Sequence, residues 1–288
     1  MTQAAVPSSL FKYFGHDRIS SIESNRLRFS PLSAFNDPFE GRPEIKGLAS
    51  PVEFIRNLES ELPKELKAAY LKLTRQQRSQ MSLRQFVALG IAKTNMESTA
   101  AEFGSMTDAF AASVPDRLDG LLGALCLCEN RDSLLMWAHY AASHTGFMVE
   151  YATDGPFFNA RRSPSDEFYY LRQVQYRETR PSASLTQFDG PELFLVKSLD
   201  WSYEHEWRIL KPLADADVVL DISGQKIHLF NHAPGVILSI TVGARANAAL
   251  QDQIRLLLST TPQLSHVKLF QAHAHVSHFK LELLELAI

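Results

Sequence analysis

A long block of helix-forming residues interrupts a chain whose other apolar segments are short and strand-like. Helix formers dominate from Pro51 to about Gly123, where we expect three or four helices with amino-terminal caps at Ser50 and Ser82. Strand segments on both sides of a helical block are typical of an α+β fold. We therefore predict one α+β domain over residues 1–288, with a single mixed or antiparallel β-core and a helical insertion over about residues 51–123.

Short alternating segments outside the helical block predict the strands of the β-core. We expect strands over residues 10–14, 27–30, 124–129, 147–151, 217–222, 235–242, 267–270 and 279–283. Two further helices are predicted over residues 134–144 and 247–258, and Gly146 is expected to end the first of them.

Composition and charge limit the functional classes. The formal net charge of −3 gives no global field that would draw the chain to nucleic acid or to an anionic membrane. No apolar run is long enough to span a bilayer, and residues 1–9 lack the charged and apolar regions of a secretory signal. Cys126 and Cys128 point the same way on a predicted strand, so we expect reduced core thiols in a cytoplasmic protein.

The stretch from Lys197 to Leu210 carries the most chemistry per residue. Residues 203–210 predict a strand, because Tyr, Trp and Ile are strand formers. Side chains alternate along a strand, so Glu204, Glu206 and Arg208 would share one face. Neighbouring half-buried carboxylates shift each other's pKa, and such pairs concentrate at functional sites. We favour an active site here, and a structural ladder of ion pairs is the alternative.

Arginines and histidines form two further groups of candidate residues. Five arginines alternate with aromatic residues in the middle of the chain: Arg161, Arg162, Arg172, Arg177 and Arg180, with Phe168, Tyr169, Tyr170 and Tyr176. This strip is compatible with a nucleic-acid surface, with a solvated strand pair or with phosphate contacts. His273, His275 and His278 form one histidine group, and His228 and His232 form another. Without carboxylate or cysteine neighbours, we do not expect a physiological metal at either group.

Three groups of segments, taken together, resemble a bacterial protein family. They are Leu10-Phe11-Lys12-Tyr13 with Phe35-Asn36-Asp37-Pro38-Phe39-Glu40, then Leu135-Met136-Trp137-Ala138-His139-Tyr140 with His144-Thr145-Gly146-Phe147, then Lys197 with Trp201-Ser202-Tyr203-Glu204-His205-Glu206-Trp207-Arg208. In this order and spacing they are similar to the domain of unknown function 2971 family, over roughly residues 10–213. Members often carry an arginine after the Lys-Tyr pair, where this chain has Phe14. The family name implies no biochemical function.

A more distant resemblance is to the ADP-ribosyltransferase superfamily, which places three site elements on strands. Its first element is a His or Arg on an early strand, its second a Ser or Tyr region, and its third a late strand with Glu-x-Glu or Gln-x-Glu. The counterparts in this chain are Lys12-Tyr13, then His139-Tyr140, then Glu204-His205-Glu206. The resemblance implies a split-sheet variant of the predicted β-core, with NAD as substrate.

The activity that this resemblance implies is NAD-dependent ADP-ribosyl transfer or NAD glycohydrolysis, of a bacterial defence or toxin type. The implied catalytic residues are Glu206, Glu204, Tyr140 and His139, and the implied NAD-binding residues are Lys12, Tyr13, Asn36, Asp37, Trp137 and Arg208. Glu206 would stabilise the oxocarbenium-like ribosyl centre. Glu204 would orient or deprotonate the acceptor, and Tyr140 or Trp137 would stack on nicotinamide.

The resemblance also implies contacts to the part of NAD beyond the nicotinamide ribose. Lys12 and Arg208 would contact the pyrophosphate, and Asn36 and Asp37 would border the same pocket. The expected partners are a nucleotide-type small molecule and a protein or nucleic-acid acceptor, with no membrane.

Other functional classes remain open. One is a non-catalytic defence effector that binds a nucleotide or nucleic acid, with the helical insertion and the arginine–tyrosine strip as its recognition surfaces. Another is a metal-dependent nuclease that uses the histidine groups. The third is a protein-interaction scaffold, which would have no concave pocket beside Glu204 and Glu206.

Overall fold

The computed structural model describes residues 5–188 and 190–288. The chain divides into two compact units: a helical unit of residues 42–117 and 181–193, and a sheet unit that contains the other described residues. Helices and a mixed parallel and antiparallel sheet are both present, so the predicted α+β class is confirmed. How many domains fold independently stays a prediction.

The secondary structure consists of short strands and seven α-helices among the described residues. The strands are β1 (Ser9–Phe14), β2 (Arg26–Phe29), β3 (Glu44–Ile45), β4 (Leu122–Cys128), β5 (Phe147–Ala152), β6 (Arg172–Gln173), β7 (Gln175–Arg177), β8 (Ser182–Ala183), β9 (Val196–Ser198), β10 (Glu206–Pro212), β11 (Val218–Ile222), β12 (Gln225–Asn231), β13 (Ile237–Val242), β14 (Lys268–Ala274) and β15 (Leu281–Leu286). The helices are α1 (Ser20–Glu23), α2 (Pro51–Lys72), α3 (Arg75–Gln80), α4 (Leu83–Lys93), α5 (Met96–Asp119), α6 (Leu134–Tyr140) and α7 (Ala248–Thr260).

The sheet unit is built on an eight-stranded sheet with the order β15-β14-β13-β5-β1-β4-β10-β6. β13 and β14 are parallel, and the other neighbouring pairs are antiparallel. A second sheet has the order β11-β12-β2, and β7 pairs with β9 in parallel. The mixed β-core that the sequence predicts is therefore present.

The large sheet opens between β1 and β4. β1 pairs with β5 along its whole length, and β4 does the same with β10. Between the described residues of β1 and β4, however, the register has one pair, Phe11 opposite Cys128. Farther along β4, Ala124 exchanges both backbone hydrogen bonds with Ser30, which follows β2, at 2.9 and 3.0 Å. Because β4 turns toward β2 in this way, it leaves a wedge beside β1.

Apolar side chains pack on both faces of the large sheet, as the alternation along β1 shows. Leu10 and Phe14 join a large core cluster that also contains the buried residues of α7. Phe11 and Tyr13, which alternate with them, join a smaller cluster with Trp137 of α6. β1 is therefore a central strand that is covered on both sides.

The helical unit shows the predicted caps. Ser50 accepts a hydrogen bond from the backbone of Glu53, whose side chain accepts in return from the backbone of Ser50. Ser82 and Gln85 form the same reciprocal arrangement at the start of α4. These capping boxes satisfy backbone N–H groups that a helix start leaves unpaired. The predicted caps at Ser50 and Ser82 are confirmed.

The predicted strand over residues 203–210 is wrong at its beginning. Leu199–Glu204 is a 3₁₀ helix, capped by the Ser198 side chain, which accepts from the Asp200 backbone. His205 then takes a left-handed conformation with φ of 44°, and the strand starts at Glu206. Local hydrogen bonding by Ser198 and the turn at His205 outweigh the strand propensity of Trp201 and Tyr203.

The predicted helix over residues 134–144 is too long. The α-helix ends at Tyr140, and Ala142, Ser143 and His144 have φ between 47° and 69°. The amide of Gly146 then donates to the carbonyl of Ala141 at 2.9 Å and leads directly into β5. The expectation that Gly146 ends this helix is therefore wrong, because the left-handed residues Ala142 to His144 turn the chain before it.

Most of the other predicted elements are present with small changes in their bounds. The helix predicted over residues 247–258 is α7, with Asn247 as its amino-terminal cap. β12 was not predicted, and the strand expected over residues 279–283 begins at Leu281. Within the described residues, no helix has both the length and the apolar character that crossing a membrane requires.

Candidate functional site

The wedge between β1 and β4 contains a cavity of about 420 Å³. Residues of β1 and β4 form two of its walls, and the loop after β2 contributes Phe35 and Asn36. α6 contributes His139 and Tyr140. The weak pairing of β1 with β4 is therefore what makes room for the site.

The floor of the cavity is a buried charge cluster, defined as Glu40, Lys197, Glu204, Glu206 and Arg208. Lys197 Nζ lies 2.5 Å from Glu204 Oε2, 3.2 Å from Glu206 Oε2 and 3.7 Å from Glu40 Oε2. These side chains are all at most 4% exposed. One ammonium group therefore holds three carboxylates away from bulk water.

Arg208 completes the cluster through its contacts with Glu206 and Glu40. Its Nε and Nη2 atoms donate to the two carboxylate oxygens of Glu206 at 2.6 and 2.9 Å, and it also pairs with Glu40. Its Nη1 donates to the carbonyl of Phe194 at 2.8 Å. Such a two-pronged contact fixes the plane of the Glu206 carboxylate.

The cluster assembles because two changes of backbone direction bring the acids together. Glu204 ends the 3₁₀ helix, and Glu206 starts β10, with the left-handed His205 between them. Lys197 lies on β9, whose partner β7 carries Tyr176, and the Tyr176 hydroxyl accepts from the Glu206 backbone at 2.9 Å. The two acids converge through this turn and not through strand alternation.

Burial and the charges of neighbouring groups shift the pKa values of the floor residues. Burial, Lys197 and Glu204 together set the pKa of Glu206 at about 7: burial raises it most, Lys197 lowers it, and the Glu204 charge raises it to a smaller extent. Burial by itself would lower the pKa of Lys197, but the charges of Glu206 and Glu204 outweigh it and the net pKa is raised. Burial lowers the pKa of Arg208 to about 9, which leaves it charged at neutral pH. Glu206 is therefore the floor acid that is poised to exchange a proton near neutral pH.

Hydrogen bonds extend from the floor to the cavity wall. The Tyr140 hydroxyl donates to Glu204 Oε1 at 2.5 Å and accepts from Asn36 Nδ2 at 3.2 Å. Burial, reinforced by the Glu204 charge, raises the pKa of Tyr140, so this phenol stays protonated. His139 Nδ1 lies 2.8 Å from the Tyr203 hydroxyl. The helix end and the loop after β2 are thus tied to the same acid.

The predicted site residues fall into two groups. Those that line the cavity are Lys12, Tyr13, Asn36, His139, Tyr140, Glu204 and Glu206. Asp37, Trp137 and Arg208 are not part of the lining and are buried beside it. Trp137 packs edge-on against Tyr13 and donates to the carbonyl of Arg131, while Asp37 accepts from the Phe39 backbone. Within the floor cluster, Arg208 is held by Glu40 and Glu206 and does not line the cavity.

Among the charged residues that line the cavity, three were not predicted as site residues: Lys197, Glu40 and Arg28. Lys197 stands in the same charged stretch as Glu204 and Glu206, so its charge was a usable signal. Glu40 follows a turn, and nothing in its local pattern indicates contact with a lysine so far along the chain. Arg28 alternates with Leu27 and Phe29, a pattern that places it opposite the core without indicating a cavity.

The histidine groups and the arginine–tyrosine strip lie outside this cavity. His275 faces Glu282 at 3.4 Å and His278 at a ring distance of 4.6 Å. Over residues 5–188 and 190–288, no three or more His, Cys, Asp or Glu side chains are grouped to hold a metal ion. Arg161 stacks on Tyr170 and Arg162 on Tyr169, at 4.2 and 4.4 Å. Whether the strip binds nucleic acid stays a prediction.

Comparison with known proteins finds one related family. Residues 136–209 match the model of a family described as "Protein of unknown function (DUF2971)", which supports the resemblance seen in the sequence. No curated protein and no solved structure matches the chain. The matched segment contains Tyr140, Lys197, Glu204 and Glu206, so it includes much of the floor and one wall of the cavity.

Proposed function

We propose that the cavity binds NAD and that the protein cleaves the nicotinamide–ribose bond, as an ADP-ribosyltransferase or an NAD glycohydrolase. The observation that carries this proposal is the pair of buried carboxylates, Glu204 and Glu206, which share one ammonium group at the floor of a cavity. The cavity opens at a split in the sheet between the strands that bear Lys12 and Cys126. In the bacterial cytoplasm, this activity would consume NAD or modify a macromolecule, as a defence effector or toxin does.

The chemistry requires a negative charge beside the ribose. When the bond from the ribose C1′ to the nicotinamide nitrogen breaks, its electron pair leaves with nicotinamide, and positive charge develops on the ribose. In the proposed mechanism, ionised Glu206 stabilises that charge. Lys197 and Arg208 fix the orientation of Glu206 beforehand, so little reorganisation is needed during the reaction.

The second acid serves the incoming nucleophile. Water or an acceptor side chain attacks C1′ and loses one proton, which Glu204 accepts. The hydrogen bond from Tyr140 holds Glu204 toward the cavity wall. His139 and Tyr140 supply the aromatic surface for the nicotinamide ring, because both line the cavity at the end of α6.

The first prediction concerns Glu206. Purified protein incubated with NAD releases nicotinamide, and Glu206→Gln lowers this rate by a factor of about 10² or more, because the amide carries no charge. Mass spectrometry of small molecules and protein separates free ADP-ribose from a modified acceptor. Glu285→Gln, at an exposed glutamate of the same unit, should react at the wild-type rate. A folded Glu206→Gln protein with normal turnover would refute the assignment.

A second candidate function is non-catalytic nucleotide binding. It is favoured by the saturation of the floor, where Glu206 already accepts from Arg208 and Lys197, and Glu204 from Tyr140 and Lys197. Carboxylates whose hydrogen bonds are already satisfied form a rigid site, and a rigid site suits a protein that binds a nucleotide without cleaving it. A rise in thermal stability with NAD, without release of nicotinamide, would identify this function.

A further inference from the structure

Two cations of the cavity have no acidic partner. Within residues 5–188 and 190–288, no carboxylate lies within ion-pair distance of Lys12 or Arg28, although both line the cavity. Lys12 Nζ donates to the carbonyl of Cys126 at 3.0 Å. Arg28 Nε is buried and has no hydrogen-bond partner among the described residues. A buried charged donor left in this state costs free energy unless a ligand satisfies it.

The fold brings these two side chains to the same opening. Lys12 lies at the middle of β1, beside the wedge. Arg28 lies on β2, where the buried Leu27 and Phe29 turn its side chain away from the core. The bridge between Ser30 and Ala124 ties the end of β2 to β4, and so holds Arg28 at the cavity.

Charge balance indicates what kind of ligand these cations attract. The floor holds three carboxylates and two cations, so it carries a charge of −1 when all five groups are ionised. Lys12 and Arg28 change the total for the cavity to +1. Protonation of Glu206 makes the cavity still more positive. The cavity is therefore complementary to an anion at its β1–β2 side.

Each of the two cations is also destabilised by its surroundings. Burial lowers the pKa of Lys12, the charge of Glu206 opposes this shift, and a weaker repulsion from Arg28 adds to it. Burial likewise lowers the pKa of Arg28. An anion between them would relieve both effects, since it would supply the acceptor and the opposite charge together.

We infer that Lys12 and Arg28 form a phosphate-binding subsite, and that the ligand of the cavity carries a phosphate or pyrophosphate group. This inference deepens the proposed function and rests on it for naming the ligand as NAD. The subsite itself rests on the two unpaired cations. Arg28 takes the role that the sequence suggested for Arg208, because Arg208 is already neutralised by Glu40 and Glu206.

Calorimetric titration with ADP and with inorganic pyrophosphate tests the subsite. Arg28→Gln should weaken binding of both ligands about tenfold or more, because it removes charge-assisted hydrogen bonds. Lys12→Gln should act in the same direction. Arg26→Gln is the matched control: Arg26 shares strand and face with Arg28, yet it bonds to Asn231 and does not line the cavity. Its affinities should equal those of the wild type.

The outcomes separate the subsite from the proposed reaction. Unchanged affinity in folded Arg28→Gln, equal losses in Arg28→Gln and Arg26→Gln, or no binding of either ligand to the wild type would overturn the subsite. If Arg28→Gln does not fold, Lys12→Gln decides by the same criteria. Phosphate-dependent binding without any NAD cleavage would leave the subsite standing and remove the proposed reaction alone.

Discussion

Glu206 occupies an environment in which the influences that favour its protonated form outweigh those that favour its carboxylate. Burial and the Glu204 charge favour its protonated form, whereas Lys197 favours the carboxylate. The outcome is a pKa of about 7 instead of the ordinary 4.5. A carboxyl group with this pKa changes its charge within the physiological pH range, which few side chains other than histidine do.

This pKa predicts the pH dependence of the proposed reaction. Only the carboxylate form of Glu206 stabilises a developing cation, so kcat/KM for NAD should rise with pH and level off above about 7. One unit below the pKa, the value should be about one tenth of the plateau. Initial rates from pH about 5.5 to 8.5, at constant ionic strength, measure this rise of kcat/KM with pH. A flat profile or one that falls with pH would contradict the role of Glu206.

Single residues also show where sequence analysis succeeded and where it did not. Glu204 and Glu206 were correctly expected to lie together, although strand alternation was the wrong reason. Their proximity comes from a 3₁₀ helix and a left-handed residue. Glu40 and Arg28 were missed because their importance arises from contacts with distant strands. Local sequence patterns carry no information about such contacts.

Among the secondary-structure elements, the connection from α6 to β5 limits how the cavity wall can change. Three consecutive residues with positive φ, Ala142 to His144, turn the chain sharply after Tyr140. Gly146 then passes so close to β1 that a Cβ atom would overlap the carbonyl oxygen of Phe14. The position of Tyr140 therefore depends on a close backbone approach that only glycine permits.

Gly146→Ala should destabilise the sheet unit by about 1–3 kcal/mol, because the methyl group forces β1 and the turn apart. Gly235→Ala is the matched control, since a Cβ there meets nothing within 4 Å. It should change stability by less than about 0.5 kcal/mol. Urea-unfolding midpoints measure both effects, and equal midpoints for the two variants would contradict the prediction.

The helix α7 and the strand β13 were predicted well. The helix repeats apolar residues at helical spacing, the strand is a nearly continuous apolar run, and both pack into one core. Short elements such as β6, β7 and the 3₁₀ helices depend on tertiary pairing and local capping, so their sequences show no period. Two floor residues come from such short elements, Lys197 from β9 and Glu204 from a 3₁₀ helix.

In the molecule as a whole, Lys197 is the residue on which the buried cluster depends. It contacts Glu40, Glu204 and Glu206, which would otherwise repel one another away from water. Lys268, by contrast, pairs with Glu285 at 3.6 Å on the exposed surface. Replacing each lysine by methionine therefore compares the loss of a buried ion pair with the loss of a solvent-exposed one.

Lys197→Met should lower the free energy of unfolding by about 3–5 kcal/mol at neutral pH, since it leaves buried Glu204 without its cation and leaves Arg208 to balance both Glu40 and Glu206. The loss should shrink as the pH falls and these carboxylates take up protons. Lys268→Met should change it by less than about 0.5 kcal/mol. Urea unfolding followed by tryptophan fluorescence is a suitable measurement, because Trp137, Trp201 and Trp207 all lie in the sheet unit. An unchanged midpoint for Lys197→Met would show that the floor does not need its lysine.

The wide separation of the floor residues along the chain affects when the floor can assemble during synthesis. A chain still attached to the ribosome can pair β1 with β5 well before Lys197 has been added. Glu40 has neither of its cationic partners until Lys197 leaves the exit tunnel, and it has only one until Arg208 follows. A nascent chain therefore has cavity walls long before it has the acid that the proposed reaction requires. The floor of the cavity is therefore complete only after the chain up to Arg208 has left the exit tunnel.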